Sequence, residues 1–370
     1  MTETILQKIY RFPVKGFPGQ KLEQTQLQSG AGIPNDRRYA VTNGVEDTGK
    51  WMPSRSFFIN ARVDGMSKFK CDFDGEKVLL TNILGETLNF NLDDKASLTE
   101  ANAKLVNFMQ PVGVHQDLPQ PQIIDRGKAS VWDYIDTPIS IINAESVKAL
   151  DEKLGTQLDP LRFRGNLIIS GLPAWEEFSW MGKRVQIGDC VLDIHRPIDR
   201  CPTPGVNPIT GERDVEVTPL LNEHFGHVYC GMYANVVEGG DLKSGDEITI
   251  IGDAEIKLED TFVSNASNYA LWPRMAEVAS CNVADDKTSI KLQTTRPWKA
   301  PEATAGQRLK LHLGIHGWTQ EYIISASTNT YEIEIEDSAT EDPLTKYLRE
   351  GLETGTQIVI SGPYGRVKIN

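Results

Sequence analysis

Residues 227–251 read HVYCGMYANVVEGGDLKSGDEITII. β-Branched and aromatic residues fill short runs, and Gly239–Gly240 and Gly245–Asp246 interrupt them. That pattern fits strands of about 4–8 residues separated by turns. Outward from it, NLIISG at 166–171 and KRVQIGDCVLDIHRP at 183–197 read the same way. PISIINAESVKALDEKLG at 138–155 is a strand running into a helix. Asn143 is its cap, Val147, Leu150 and Leu154 share a face, and Gly155 ends it. These signals together describe a mainly β chain with a few helices, of the mixed-barrel kind.

Toward the N-terminus, TILQKIYRFPV, KLEQTQLQ, RRYAVTN and FFINARVDG read as strands, and FKCDFDGEKVLLTNILGETLNF as a hairpin meander. LTEANAKLVNFMQ at 98–110 is helical, with Ser97 or Thr99 as its cap. Toward the C-terminus, from about Glu255, the β pattern restarts as a six-stranded unit carrying one late helix, PLTKYLREGLETG. With 370 residues, the chain is too long for one ordinary core. The expected units are 1–122, 123–252 and 255–370.

Charge and cysteine usage narrow the function. Thirty-eight Lys and Arg against 51 Asp and Glu give a net charge of −13, which argues against nucleic acid and anionic membrane as partners. No apolar run reaches the roughly 18–20 residues of a membrane span, and the first residues lack the basic and apolar blocks of a secretory leader. Five cysteines without a C-x-x-C pair exclude a zinc ribbon and fit a reducing, cytoplasmic setting.

Four of the cysteines, Cys71, Cys190, Cys230 and Cys281, lie inside strand-like runs and read as small buried hydrophobes. Cys201 differs. In RPIDRCPTPGVNPITGERD (196–214) it opens an irregular loop beside Arg196 and Arg200, which favour a thiolate. On the residues alone it is a metal ligand, a nucleophile or an inert loop thiol. Arg162, Arg164 and Asn166 in LRFRGNLIIS offer planar donors for a phosphate or a ring carbonyl, or else bridge local carboxylates. Lys15 and Gly16 come directly after a strand, where they suit an anion or an ordinary turn, and NDRRY and MPSRS add Arg37 and Arg55.

FPVKG, NDRRYAV, LRFRGNLIISG, DRCPTPGVNPITGERD and the 227–251 stretch, in that order, resemble the MOSC family with its N-terminal β-barrel partner, over about 1–252. The resemblance, which extends to the amidoxime-reducing component, implies two β-barrels forming one unit and a molybdenum cofactor (molybdopterin) with Cys201 as the protein ligand to the metal. It implies cofactor contacts at Lys15, Gly16, Arg37, Arg55, Asn143, Arg164 and Asn166, with Asp214 and Arg200 in supporting positions. In this chain R-G-N stands where relatives often have R-P-N. The implied activity is two-electron reduction of an N-hydroxylated small-molecule substrate, with electrons from a separate reductase. A non-catalytic carrier of cofactor or sulfur, through a Cys201 persulfide, is the alternative.

Residues 255–370 resemble the FAD-binding barrel of ferredoxin reductases, through GQRLKLHL, EYIISAS, YEIEIE, LTKYL and ISGPYG. That likeness implies flavin contacts at Tyr322 and Thr345 and a flavin-dependent role as a third reading. Gln320, Glu321, Tyr322 and Ile323 stand where that family has R-x-Y-S, so its phosphate-binding arginine is replaced.

Overall fold

The structure is a computed structural model. It describes residues 3–63, 65–114, 120–134, 137–225, 227–255, 274–284, 287–294, 303, 305–313, 318–327, 330–336, 343–350 and 352–364. The chain is mainly β, as its residue pattern predicts.

An eight-stranded mixed sheet carries the largest core. Across it run Ile248–Asp253 (β16), Lys183–Ile187 (β12), Cys190–Asp199 (β13), Tyr229–Glu238 (β14), Ile139–Asn143 (β10), Leu167–Ser170 (β11), Ile5–Arg11 (β1) and Gln20–Leu22 (β3). Every residue of β10 is buried, and β13 is buried up to its last residue. Strands covered on both faces lose the in–out alternation of a half-exposed strand. β10 and β11 pair in parallel, Ile141 opposite Leu167. Parallel neighbours need a crossover, and helix α2, Ala144–Leu154, supplies it. Asn143 caps that helix by accepting from Glu145 N, and Gly155 ends it in the left-handed region.

Two small sheets adjoin the large one. Val14–Lys15 (β2), Tyr39–Thr42 (β5) and Gln122–Asp125 (β9) form a three-stranded sheet, and Gln24–Leu27 (β4) pairs with Gly240–Lys243 (β15). The meander folds as Lys70–Phe73 (β6), Lys77–Thr81 (β7) and Thr87–Asn91 (β8), covered by helix α1, Lys95–Met109. Asp94 caps α1, accepting from Ala96 N and Ser97 N, in place of the expected Ser97 or Thr99. Ser97 is unavailable as a cap because its hydroxyl accepts from Asn91 N and donates to Asp94 O. Among the described residues of FFINARVDG the expected strand reduces to one bridge, Thr42 to Phe57.

In the C-terminal part, Arg274–Val283 (β17), Lys287–Thr294 (β18), Tyr331–Glu336 (β21), Trp318–Ser327 (β20), Arg308–Leu313 (β19) and Gln357–Tyr364 (β22) close into a six-stranded antiparallel barrel. Helix α4, Pro343–Glu350, is the predicted late helix, and Leu348 joins the barrel's own apolar core. Helix α3, Val217–Phe225, comes after the Cys201 loop.

Glu177 is fully buried beneath α2. Its oxygens accept from Ser146 Oγ at 2.8 Å and Asn143 Nδ2 at 3.0 Å. Burial pushes the carboxyl up to about 7, against those hydrogen bonds. The native state therefore holds this proton more tightly than the unfolded chain between about pH 4.5 and 7. Its contribution is favourable at the acid end of that window and is lost as pH rises through 7. Glu177→Gln should consequently gain stability relative to the wild type as pH rises from 5 to 8, by on the order of 3 kcal/mol. Urea unfolding of both proteins across that range checks this; a pH-independent difference would contradict it.

Candidate functional site

A cleft of about 630 Å³ opens where the segments 15–62 meet the ends of β10, β11, β13 and β14. Among its lining side chains Lys15, Arg37, Arg62, Arg162, Arg164 and Arg200 are basic, and only Asp133 and Asp199 are acidic. A chain of strong net negative charge thus concentrates cations in one hollow.

Cys201 lies on the cleft wall and is the exposed one of the five cysteines; Cys71, Cys190 and Cys230 are buried and Cys281 is half-buried. The register of β13 against β14 slips between Ile194 and Arg196 and again between Pro197 and Asp199. Such bulges bend a strand and redirect the residues beyond them, and they carry the chain out of the sheet just before the cysteine. Cys201 Sγ lies 3.2 Å from Thr203 Oγ1.

Three arginines fasten this loop by its backbone. Arg200 donates through Nε at 2.7 Å and through a second nitrogen to Cys230 O, and through another to Phe163 O at 3.0 Å. Gly231, at φ +83°, keeps the approach open: a Cβ there would lie 3.2 Å from the Arg200 guanidinium and 2.4 Å from Ile141 O. Arg213 donates to Pro202 O at 2.7 Å and to Asn60 O at 3.1 Å, linking the loop to the facing wall. Arg162 forms a two-bond pair with Asp214 at 2.7 and 2.8 Å and reaches Pro204 O at 3.3 Å. Hydrogen bonding from Arg162, outweighing desolvation, holds the Asp214 carboxyl below the usual carboxylate range.

The facing wall is an ionic knot. Lys15 Nζ donates to Val131 O at 2.9 Å and pairs with Asp133 Oδ1 at 2.6 Å, and Ser54 Oγ donates to the same oxygen at 3.0 Å. Arg37 pairs with Asp36 and donates to Arg164 O at 2.8 Å. Arg164 donates to Phe17 O at 2.8 Å, and both guanidinium groups lie over the Phe12 ring, at 4.7 and 4.4 Å. Arg37 and Arg164 both sit at left-handed φ, 49° and 52°, a costly conformation for a residue with a side chain, which packing must hold. Burial, reinforced by Arg37, lowers the Arg164 guanidinium to about 10. Burial alone would raise the Asp133 carboxyl, but Lys15 and Arg37 outweigh it and keep it ionised.

On the Cys201 side, Tyr134 hydroxyl donates to Asp199 Oδ1 at 3.0 Å beneath the Arg196 guanidinium, which lies 3.7 Å from its ring. Burial and the Asp199 charge push this hydroxyl well above its ordinary range. Three cleft-lining residues hold buried polar atoms with no partner among the described residues, Trp132 Nε1, Asn60 Oδ1 and Arg162 Nε. Among the described residues no three His, Cys, Asp or Glu side chains cluster to hold a metal ion by themselves.

The expected site residues divide. Cys201, Lys15, Gly16, Arg37, Arg164, Asn166 and Arg200 all line the one cleft. Gly16 is required by packing, since at φ +85° a Cβ would lie 2.3 Å from Phe58 O. Asn166 is a stitch in its floor, accepting from Ser140 N and Oγ and donating to Tyr10 O. Arg55 stands outside the cleft, exposed, while its neighbour Ser54 turns in. Asn143 also stands outside: its side chain is spent on the α2 cap, on Leu172 O, Pro173 O and Glu177. Asp214 supports the cleft through Arg162. Tyr322 and Thr345 lie in the C-terminal barrel, both buried, their hydroxyls 3.4 Å apart. Sequence reasoning missed Asp133, Tyr134, Tyr233, Trp132, Asn60 and Arg62; the run VWDYIDTP at 131–138, dense in aromatics and acid, was the available signal.

Residues 113–249 match the family model described as the MOSC domain. Among curated proteins, molybdenum cofactor sulfurase of Caenorhabditis elegans is 28% identical over 266 residues, 66% of this chain and 36% of that protein. Molybdenum cofactor sulfurase 3 of Aedes aegypti is 25% identical over 271 residues, covering 65% and 35%. That of Drosophila persimilis is 31% identical over 112 residues, covering 30% and 14%. The chain therefore spans between 14% and 36% of the length of these relatives. Among solved structures, the YUAD protein from Bacillus subtilis aligns with a TM-score of 0.34 at 16% identity, over 67% of this chain and 94% of that one. Phthalate dioxygenase reductase aligns with a TM-score of 0.24 at 18% identity, over 26% and 32%.

The clamp on the Cys201 loop depends on a nearly buried guanidinium. Asp214→Ala leaves Arg162 without its carboxylate and should cost about 1–3 kcal/mol, while amide hydrogen exchange across 201–206 quickens. Adding Arg162→Met should recover part of the stability, because the buried charge is then gone as well. Urea unfolding and exchange mass spectrometry check both outcomes.

Proposed function

Because the chain carries a MOSC domain across residues 113–249, we propose that the cleft holds a molybdenum cofactor with the Cys201 thiolate as the protein's ligand to the metal. The observation that carries this is one exposed cysteine on the wall of a hollow whose charged lining groups are mostly cationic. Since no cluster of protein ligands stands there among the described residues, a metal would arrive with ligands of its own, as it does on a pterin dithiolate. An orphaned donor at Trp132 Nε1 and an orphaned acceptor at Asn60 Oδ1 suit a heterocycle that carries both kinds of group.

When bound, the group supplies two-electron redox chemistry and an open coordination position. The protein's own residues do the rest. Arg200, Arg213 and Arg162 fix the loop that presents Cys201. Arg37 and Arg164 give the far wall its positive potential, which favours a phosphate-bearing ligand. Tyr134 holds a proton on its hydroxyl at the Cys201 side of the cleft. The reaction proposed is reductive cleavage of an N–O bond: an N-hydroxylated small molecule, two electrons and two protons give the N–H compound and water. The electrons come from a separate reductase. Units 1–122 and 123–252 act together in holding the cofactor, and 255–370 is a separate barrel.

The curated relatives favour a second reading, because their printed name is molybdenum cofactor sulfurase. In it Cys201 carries a persulfide and passes sulfur or cofactor onward without redox turnover. A flavin at the C-terminal barrel is the weakest assignment, since the Tyr322 and Thr345 hydroxyls face each other in its interior. No helix among the described residues is long and apolar enough to cross a membrane, which fits the cytoplasmic setting proposed for both readings.

Metal analysis after expression in a cofactor-competent host decides between them. The reductase reading expects stoichiometric molybdenum in the wild type and its loss in Cys201→Ala with folding intact. Molybdenum retained by Cys201→Ala overturns the ligand assignment. A one-sulfur mass increment on Cys201 in metal-free protein selects the carrier reading.

A further inference from the structure

Lys15 is the lysine that the sequence marks for an anion, yet its ammonium group is already paired within the protein. Its side chain is 6% exposed, and its donors are spent on Val131 O and Asp133 Oδ1. Arg37 and Arg164 likewise spend donors on Asp36, Arg164 O and Phe17 O. The Asp133 carboxylate lies in front of Lys15, is 51% exposed, and lines the cleft. Oδ1 accepts from Lys15 and Ser54, and among the described residues nothing donates to Oδ2. The wall therefore presents a ligand with a carboxylate oxygen backed by buried cations.

We propose that Asp133 is the recognition residue of this wall, and that it selects a ligand edge carrying N–H donors on a shared carbon, an amidine-like N–C–N group. A carboxylate accepts such planar paired donors with the best geometry and charge assistance. Lys15, behind it, acts as a positioning residue that keeps the carboxylate ionised and aimed. The proposal rests on the proposed function of the cleft as the ligand site. Two sources carry an amino group on such a carbon: the 2-amino-4-oxo edge of a pterin, which adds N3–H beside it, and an N-hydroxyamidine substrate, whose second nitrogen carries the hydroxyl.

Asp133→Asn is the decisive variant. Its amide oxygen can stay on Lys15 and Ser54, which leaves an NH2 donor where the ligand brings N–H groups. If the pterin is the source, pterin and molybdenum content of the purified variant fall at least about tenfold, the worth of one charge-assisted hydrogen bond. If the substrate is the source, content is unchanged and KM for benzamidoxime rises by that factor. KM for an N-hydroxylated substrate without the amino group, such as acetophenone oxime, then stays the same. Unchanged content together with unchanged KM overturns the proposal. So does a rise in cofactor content, which would make Asp133 a counter-ion competing with the ligand's phosphate. Should Asp133→Asn fail to fold, Lys15→Met/Asp133→Leu removes the buried cation with the carboxylate and is judged by the same criteria. A wild type without molybdenum ends the proposed function but not this inference. Free 2-amino-4-oxopteridine should still bind the wild type at least about tenfold tighter than the variant, and equal affinities overturn it.

Discussion

The donation from Arg200 to the carbonyl of Cys230 is the contact on which the cleft turns. β13 and β14 pair through most of their length, then lose register as β13 bulges toward Asp199. Cys230 lies inside that bulge, between the paired residues Met232 and Tyr229, and an unsatisfied buried carbonyl costs about 1–3 kcal/mol. The guanidinium takes the place of the missing strand partner, and Gly231 keeps the space it needs. Because Arg200 also reaches Phe163 O, the same side chain ties the Cys201 loop to the turn that carries Arg162 and Arg164. The thiol is presented by backbone restraint, with three guanidinium groups doing what a regular sheet cannot do at its end.

Much of this was legible in the sequence because it is local. The cap at Asn143, the stop at Gly155, the meander at 69–90 and the six-stranded barrel are all consequences of short-range pattern. Cys201 also stood out, being the one cysteine in an irregular run. The misreadings share a cause, which is that neighbouring residues diverge in direction. Ser54 enters the cleft and Arg55 leaves it, although the same motif carries both. FFINARVDG has strand composition, yet Asn60 and Arg62 turn into the cleft and their segment pairs at a single bridge. Asn143 met two expectations at once, and the helix cap won because Glu177 and two carbonyls occupy its amide.

Asp133 was invisible for a different reason. A single acid between two aromatics has no period and no spacing partner, and its meaning comes from Lys15, 118 residues away in the chain. Only the fold shows that the lysine of one segment is neutralised by the aspartate of another.

That pairing changes the charge logic of the whole cleft. A lone buried ammonium group would carry a large desolvation cost unless neutralised, so a lysine as enclosed as Lys15 requires an anion at all times. Asp133 and Ser54 satisfy it from within the protein, which lets the wall exist before any ligand arrives. Two of the other cations are similarly anchored, Arg37 by Asp36 and Arg162 by Asp214. Each anchor lowers the local positive potential but fixes a guanidinium in place, and a preformed array loses less on binding than one that must be ordered by its ligand. The chain's overall charge of −13 acts in the same direction. At physiological ionic strength electrostatic interactions decay over roughly 8 Å, so the acidic exterior repels polyanions while the hollow stays positive at short range. The combination admits a small anion with hydrogen-bonding edges and rejects an extended one.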